Sequence, residues 1–276
     1  MGKLYIVGTP IGNLGDMTFR AVETLKAVDF ICAEDTRVTS KLLSHFEIRK
    51  PLVSCHEHNV RQVGAGICER ILAGENAAAV TDAGMPCISD PGEELVRMCC
   101  ERGIPVEVVP GPTAAMSALA VSGLPTGRFQ FEGFLPTDKK PRLERLAAVK
   151  DSTPTLIFYE APHKLRRTLD DLHSFLGDRH ISLCRELTKI HEEVQRVTLS
   201  EACAYYAEHE PRGEYVLIVE GAAEKASSET IEEAFAQVEA LVAKGVRGAD
   251  ACKQIAKATG FSKGELYSML LDKNTV

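Results

Sequence analysis

The stretch Ala77-Ala78-Ala79-Val80-Thr81-Asp82-Ala83-Gly84-Met85-Pro86-Cys87-Ile88-Ser89-Asp90-Pro91-Gly92 decides the fold of this chain. It opens on the strand pattern Ala77–Thr81, four apolar residues and a threonine, the pattern of a strand buried on both faces of a parallel sheet. It then breaks into a loop that holds two acids, two glycines and two prolines. Loops at the carboxyl ends of parallel strands are where α/β sheets bind ligands. Asp82 can accept hydrogen bonds from an amine or a ribose. Asp90 before Pro91 fits an ordinary helix start, with Asp as N-cap and Pro in the first helical position. Asp82 therefore reads as functional and Asp90 as structural.

Two similar junctions flank this one. Leu4–Val7 reads as a strand that enters Gly8-Thr9-Pro10-Ile11-Gly12-Asn13-Leu14-Gly15, and Pro105–Val109 enters Pro110-Gly111-Pro112-Thr113-Ala114-Ala115. The first loop has the spacing G-x3-G-x2-G. That is not the dinucleotide fingerprint, and no P-loop lysine follows, so a nucleotide-binding oxidoreductase or NTPase is disfavoured. Each loop alone also reads as a tight turn. Three of them on one edge of one sheet read as a ligand site. Helical patterns at Arg20–Val28, Glu93–Glu101 and Thr113–Ser122, with a further strand at Asp29–Ala33, complete an α/β lobe over residues 1–125.

A second α/β lobe follows over residues 126–222. Its strands are Phe129–Phe134, Thr155–Tyr159, Ile181–Arg185 and Tyr215–Glu220, open to antiparallel pairing. Its helices are Lys140–Lys150 and His163–Phe175. A cleft between two such lobes is the natural ligand site. Residues 223–276 read as a helical appendage: a linker at Glu224–Ser228, a start at Ser228-Glu229-Thr230, then helices Ile231–Ala243, Ala249–Thr259 and Ser262–Leu271. Gly260 separates the last two in a helix-turn-helix layout, with Ile255, Ala256, Phe261, Leu266 and Leu270 as its core and Ser262 with Glu265 as a capping box. Lys244, Arg247, Lys253, Lys257 and Lys263 face one acid, Asp250, in this stretch. The appendage reads equally as an RNA anchor or as a packing cap.

The chain has 276 residues and a formal net charge of −7. A purely electrostatic nucleic-acid binder is usually basic, so any RNA contact must use local basic patches or read shape and unpaired bases. Lys139-Lys140-Pro141-Arg142 and His163–Arg167 are such patches. Nine cysteines occur without a C-x-x-C pair, which removes the zinc-ribbon and thioredoxin readings. The N-terminus lacks a signal-peptide pattern, and no apolar run approaches the roughly 18 residues of a membrane span. The expectation is a cytoplasmic protein.

At these loops the chain resembles the tetrapyrrole methylase superfamily, and within it the branch that methylates the ribose 2′-oxygen of a cytidine in the decoding region of 16S rRNA. The resemblance runs from Leu4 to the C-terminal helices. It is carried by Gly8–Leu14, Ala33-Glu34-Asp35-Thr36-Arg37, Cys55-His56-Glu57-His58-Asn59, Asp82–Gly92, Tyr159-Glu160-Ala161-Pro162-His163-Lys164, Arg185-Glu186-Leu187-Thr188-Lys189 and Gly213-Glu214-Tyr215-Val216. Thr81 stands where serine is expected. The resemblance implies two unequal α/β lobes with S-adenosyl-L-methionine between them. It implies cofactor contacts from Gly8, Pro10, Ile11, Asp82, Gly84, Met85, Pro110, Thr113 and Ala114, and from Tyr159, Leu183, Glu214 and Tyr215 of the second lobe. It also implies 16S rRNA as substrate, within the small ribosomal subunit, and a homodimer.

Methyl transfer to a hydroxyl needs alignment, exclusion of water and a group that attracts the proton. Three clusters offer one: Glu34-Asp35 with Arg37, His56-Glu57-His58, and Glu186 near Lys189. Asp35 and Glu34 rank first as general base, then His56 and Glu186. Arg37 can hold a phosphate, Asn59 a base edge or a ribose, and Lys164 and Arg185 further RNA. Each has a plainer alternative. Asp35 can cap a helix, and Arg166 and Arg167 can be a solvated helix face. His56 and His58 would share one face of an extended segment, but no third ligand is evident and no metal is expected. The competing functions are methylation of a tetrapyrrole or another RNA, and a non-catalytic ribosome-assembly module. The basic clusters favour a polyanion over a macrocycle.

Overall fold

Alternating small apolar side chains build the first sheet of the computed structural model. In β4 (Ala77–Val80), Ala77 and Ala79 pack into one apolar cluster while Ala78 and Val80 pack into another on the opposite face. That is the two-residue period of a strand covered on both sides. The lobe runs β1 (Leu4–Val7), α1 (Phe19–Ala27), β2 (Phe30–Ala33), α2 (Thr36–His45), β3 (Leu52–Ser54), α3 (Val60–Leu72), β4, α4 (Gly92–Glu101), β5 (Val106–Val109) and α5 (Ala114–Ser122). The strand order is β3-β2-β4-β1-β5 and every pair is parallel. Ile67 and Ile71 of α3 and Leu95 of α4 cover one face; Leu25 of α1 and Leu43 of α2 cover the other. This strand order sets the carboxyl ends of β2, β4, β1 and β5 side by side.

The second lobe contains β6 (Phe129–Phe134), α6 (Lys139–Val149), β7 (Thr155–Glu160), α7 (Leu165–Leu176), β8 (His180–Arg185), β9 (Glu193–Thr198), α8 (Leu199–Glu208) and β10 (Tyr215–Val219). Its order is β6-β7-β10-β8-β9, parallel between β6 and β7 and antiparallel elsewhere. Leucines of α7 and α8 bury one face. The other face receives α5 of the first lobe, through Ala115, Ala118 and Leu119 against Ile157, Cys184, Val216 and Ile218. α5 is therefore apolar all round. Gly123 ends it in the left-handed conformation (φ 80°), and Arg196 Nε donates to the Ser122 carbonyl at 3.1 Å.

The structure describes residues 1–90, 92–223 and 230–273. Pro91 of the expected Asp90-Pro91 helix start, the expected linker at Glu224–Ser228 and most of the start at Ser228-Glu229-Thr230 lie outside the described residues. Met1–Ala222 and Ala223–Val276 are two compact units. The second holds α9 (Ile231–Ala243), α10 (Gly248–Thr259) and α11 (Lys263–Lys273) around Phe235, Val238, Cys252, Ile255 and Leu266. Gly260 closes α10 with φ 81°. Ser262 Oγ accepts from Gly264 N–H at 3.2 Å, so the capping box expected with Glu265 is replaced by a tighter turn. Among the described residues, no helix is long and apolar enough to cross a membrane.

Candidate active site

The loops that leave β1, β2, β4 and β5 face the strand ends of the second sheet across a cavity of about 360 Å³. The first lobe lines it with Ile11, Glu34, loop residues 81–85 and 88–90, Thr113 and Ala114. The second lobe adds Phe134, Tyr159, Glu160, Ala161, Cys184, Glu186, Leu187, Lys189, Glu214, Tyr215 and Val216. The volume lies within the usual range for a small-molecule or cofactor site. Of the expected residues, Ile11, Glu34, Asp82, Gly84, Met85, Thr113, Ala114, Tyr159, Glu186, Glu214 and Tyr215 meet here.

Glycine makes the floor possible. A Cβ on Gly8 would stand 2.7 Å from Gly111 Cα and from Met85 Sδ, so the β1 and β5 loops touch backbone to backbone. Thr9 and Gly84 exchange main-chain hydrogen bonds of 2.9 and 3.1 Å and tie the β4 loop to them. Gly8 thus shapes the floor from behind. Pro10 is buried beneath it, and Pro110 is exposed and does not line the cavity. The Leu183 side chain does not line the cavity either. It is 1% exposed in the core under α7 and α8, and its neighbour Cys184 lines the cavity. The strand period sends consecutive side chains to opposite faces. By the same rule the ring of Tyr215 lies in that core, edge-on to Tyr206.

The carboxylates around the cavity differ in how far they are already engaged. Asp35 caps α2, accepting from Arg37 N–H at 2.8 Å, and both its oxygens take the Arg37 side chain, the shortest contact being 2.6 Å. The guanidinium holds its carboxyl down at about 2. Asp35 does not line the cavity. It caps α2 and pairs with Arg37, whose side chain is largely exposed. Glu34 accepts from the Thr81 hydroxyl at 2.7 Å, and Asp82 accepts from Asp35 N–H at 3.1 Å. Burial, with Glu34 and Asp35 nearby, raises Asp82. Glu186 receives Lys189 Nζ at 2.9 Å and Glu214 N–H at 3.1 Å, and Lys189 holds it below its ordinary value. Glu160 is buried and receives the Thr168 hydroxyl and Ala161 N–H.

Asp90 is the exception. Burial pushes it up to about 6, with the charges of Glu34 and Asp82 adding to the effect and the Thr81 hydroxyl opposing it. It lines the cavity. The only sequence signal was its place in the Thr81–Gly92 block. Cys87 (φ 71°) and Ser89 (φ 64°) in its loop, and Glu186 (φ 52°) and Thr188 (φ 69°) in the facing one, adopt the left-handed region without being glycine. Such conformations cost about 1–3 kcal/mol each and cluster at functional sites.

The remaining expectations fall outside the cavity. Residues 55–59 form a turn and not an extended segment. Asn59 accepts from His56 N–H at 2.8 Å and donates to the Ser54 carbonyl at 3.1 Å, so it braces the turn. The rings of His56 and His58 are 5.9 Å apart, and His56 does not line the cavity. Arg185 pairs with Glu193 at 2.6 Å. Lys164 sits half-buried in a 3-10 turn, Pro162–Lys164, beside the lining residue Ala161. In the Lys139–Arg142 patch, Arg142 is 3% exposed and bound to Asp171 at 2.6 Å and to the Thr168 hydroxyl, which makes it a core strut. Arg166 clamps the end of α8 through the Tyr206 and His209 carbonyls. Among the described residues no group of three His, Cys, Asp or Glu could hold a metal ion.

A parallel lobe whose loops close a cavity against a second, mostly antiparallel lobe is the architecture of the tetrapyrrole (corrin/porphyrin) methylases. The model of that family matches residues 3–203, and the chain belongs to it. It is 50% identical to ribosomal RNA small subunit methyltransferase I of Halalkalibacterium halodurans, over 97% of this chain and 94% of that protein. A relative of the same name from Thermotoga maritima is 47% identical over 221 residues, which are 80% of this chain and 99% of the relative. That aligned length is close to the 222 residues of the Met1–Ala222 unit. The fold also matches the crystal structure of uroporphyrin-III C-methyl transferase from Thermus thermophilus complexed with S-adenyl homocysteine. The TM-score is 0.56 at 21% identity, covering 79% of this chain and 97% of that one.

Proposed function

We propose that the chain transfers the methyl group of S-adenosyl-L-methionine to the 2′-oxygen of a cytidine ribose in 16S rRNA, within the small ribosomal subunit. The observation that carries this reading is the near-full-length similarity to relatives named as small-subunit rRNA methyltransferases, joined to a cavity of about 360 Å³ in this chain. The cavity fits the cofactor. Gly84 lets a ligand lie against its backbone, Ile11, Met85, Ala114 and Leu187 offer apolar contact, and Asp82 and Glu34 suit a cationic group. When bound, the cofactor supplies an electrophilic methyl on a sulfonium with a neutral thioether leaving group. Asp82, Gly84 and Met85 from the first lobe, and Tyr159 with Glu214 from the second, hold and orient it.

The residue that moves the proton is Asp90. Glu34, Asp82, Glu160 and Glu186 accept hydrogen bonds from within the protein, and the Thr81 hydroxyl also bears on Asp90 without offsetting its burial. Asp90, held up to about 6, is ionised at neutral pH yet basic enough to accept a proton. Asp90 Oδ would take the proton that the ribose 2′-hydroxyl gives up on methylation. General-base assistance of this kind supplies roughly 10²–10⁴-fold.

The test is transfer of labelled methyl from S-adenosylmethionine to small-subunit RNA, presented both free and in assembled subunits from cells without this chain. Label is expected in the RNA. Tight binding of S-adenosylhomocysteine without label in either substrate contradicts the reading.

A further inference from the structure

Strand β6 carries a fault at the edge of the cavity. Its register with β7 pairs Phe129 with Thr155, Gln130 with Leu156 and Phe131 with Ile157, then shifts between Phe131 and Gly133, leaving Glu132 as an extra residue. Gly133 takes φ +62°, and a Cβ there would stand 3.1 Å from Ser89 Oγ. The end of β6 therefore abuts the strained loop of the first lobe. Bulges bend a strand and re-aim the side chain that follows. Here that side chain is Phe134.

Phe134 lines the cavity and is 56% exposed. Its ring stands edge-on to Tyr159, with centroids 5.5 Å apart and planes at 62°. Tyr159 is itself fixed, edge-on to Phe131 at 5.1 Å and with its hydroxyl accepting from Ala115 N–H at 3.2 Å. The Phe134 ring is thus braced along an edge, not covered over a face. Ile88, from the loop that touches Gly133, lines the same cavity and is 49% exposed. Both apolar groups belong to the rim. Ile11, Met85 and Ala114 are half-buried, and Leu187 and Val216 are buried. An aromatic face held open at a rim suits a planar ring that enters after the cofactor.

We propose that Phe134, braced by Tyr159 and accompanied by Ile88, is the stacking platform that receives the base of the target nucleotide when it leaves the RNA stack. The inference rests on the RNA-methylation reading. A ribose hydroxyl can reach a methyl group inside the cavity only if its nucleotide is drawn out of its neighbours, and enzymes that act on a nucleotide pay that unstacking with pocket contacts. Base–aromatic stacking accepts any base, so Phe134 seats the nucleotide while other groups choose it. Loss of one such platform reduces binding roughly 10–100-fold.

The test uses the full chain with Phe134→Ala and Phe134→Tyr, and three readouts. Phe134→Ala is expected to bind S-adenosylhomocysteine within about twofold of wild type by calorimetry. It should lower single-turnover methylation of small-subunit RNA at sub-saturating RNA by roughly 10–100-fold, chiefly through KM. It should also abolish the fluorescence quenching of a single-stranded RNA probe carrying pyrrolocytidine, which wild type quenches by stacking. Phe134→Tyr should restore all three. Equal methylation by Phe134→Ala overturns the platform and leaves the RNA reading standing. Weakened S-adenosylhomocysteine binding also overturns it, because the ring then lies against the cofactor. If wild type methylates no small-subunit RNA, the RNA reading fails and the platform falls with it.

Discussion

Asp35 and Asp90 follow neighbouring strands, β2 and β4, and meet opposite fates. Asp35 is followed two residues on by an arginine, which folds back on both its oxygens and holds its carboxyl at about 2. Among the described residues, no cation bears on Asp90. Burial, with Glu34 and Asp82 adding their charge, holds it at about 6. The charged cluster that stands out in the sequence is neutralised by its own arginine. The acid that resembles a routine cap is left under-compensated in the cavity. A carboxyl raised by burial where it lines a cleft is a candidate for function.

This contrast can be broken at several points. The largest effect expected is from Asp90→Asn, which should lower single-turnover methylation by roughly 10²–10⁴-fold with S-adenosylhomocysteine affinity kept. Asp35→Ala should leave the rate within a few-fold and only loosen the start of α2. Reversed results would return the proton to Asp35. A second check is pH. Glu34, Asp82, Cys87 and Tyr159 are the titratable groups around Asp90. Since Asp90 must be ionised to accept a proton, the wild-type rate should rise with pH through about 6. The residual rate of Asp90→Asn should lack that limb.

A smaller effect lies in stability. Asp90 rises from an ordinary 3.8 to about 6, so the folded state binds its proton more tightly than the unfolded chain. Its ionisation therefore destabilises the fold progressively from about pH 4 to pH 6. Asp90→Asn should gain about 1–2 kcal/mol at pH 7, discounted for partial exposure, and little at pH 3. Urea denaturation at the two pH values measures this, and a variant less stable at pH 7 would show that Asp90 is structural after all. The smallest effect is expected from removing residues 223–276. Lys244, Arg247, Lys253, Lys257 and Lys263 are exposed there, yet a relative matched over 99% of its length aligns with only 221 residues of this chain. The truncated chain should keep cofactor affinity and transfer within tenfold at low salt, with a shallower salt dependence of RNA binding. Complete loss of transfer would make the appendage the RNA anchor.

The parallel lobe was legible because its strands are short apolar runs closed by Gly and Pro loops. Leu4–Val7 and Phe129–Phe134 fall where periodicity puts them. β3 escaped because three residues carry too little pattern, and β9 because Glu193, Gln195 and Arg196 make it a polar edge strand. The cavity's glycine loops were readable from their place after strands. Asp90, Phe134 and Arg142 were not. A capping pattern and a pairing shift conceal the first two, and only the fold buries the third, since pairing and burial are tertiary properties.

The activity proposed for this chain is methylation at a ribose oxygen of small-subunit RNA. Small-subunit RNA from cells with and without this chain, digested to nucleosides and analysed by mass spectrometry, tests it most directly. One 2′-O-methylated cytidine should be present with the chain, absent without it, and restored by wild type but not by Asp90→Asn. A methyl group found on a base, or a ribose methylation pattern unchanged by loss of the chain, would contradict the account.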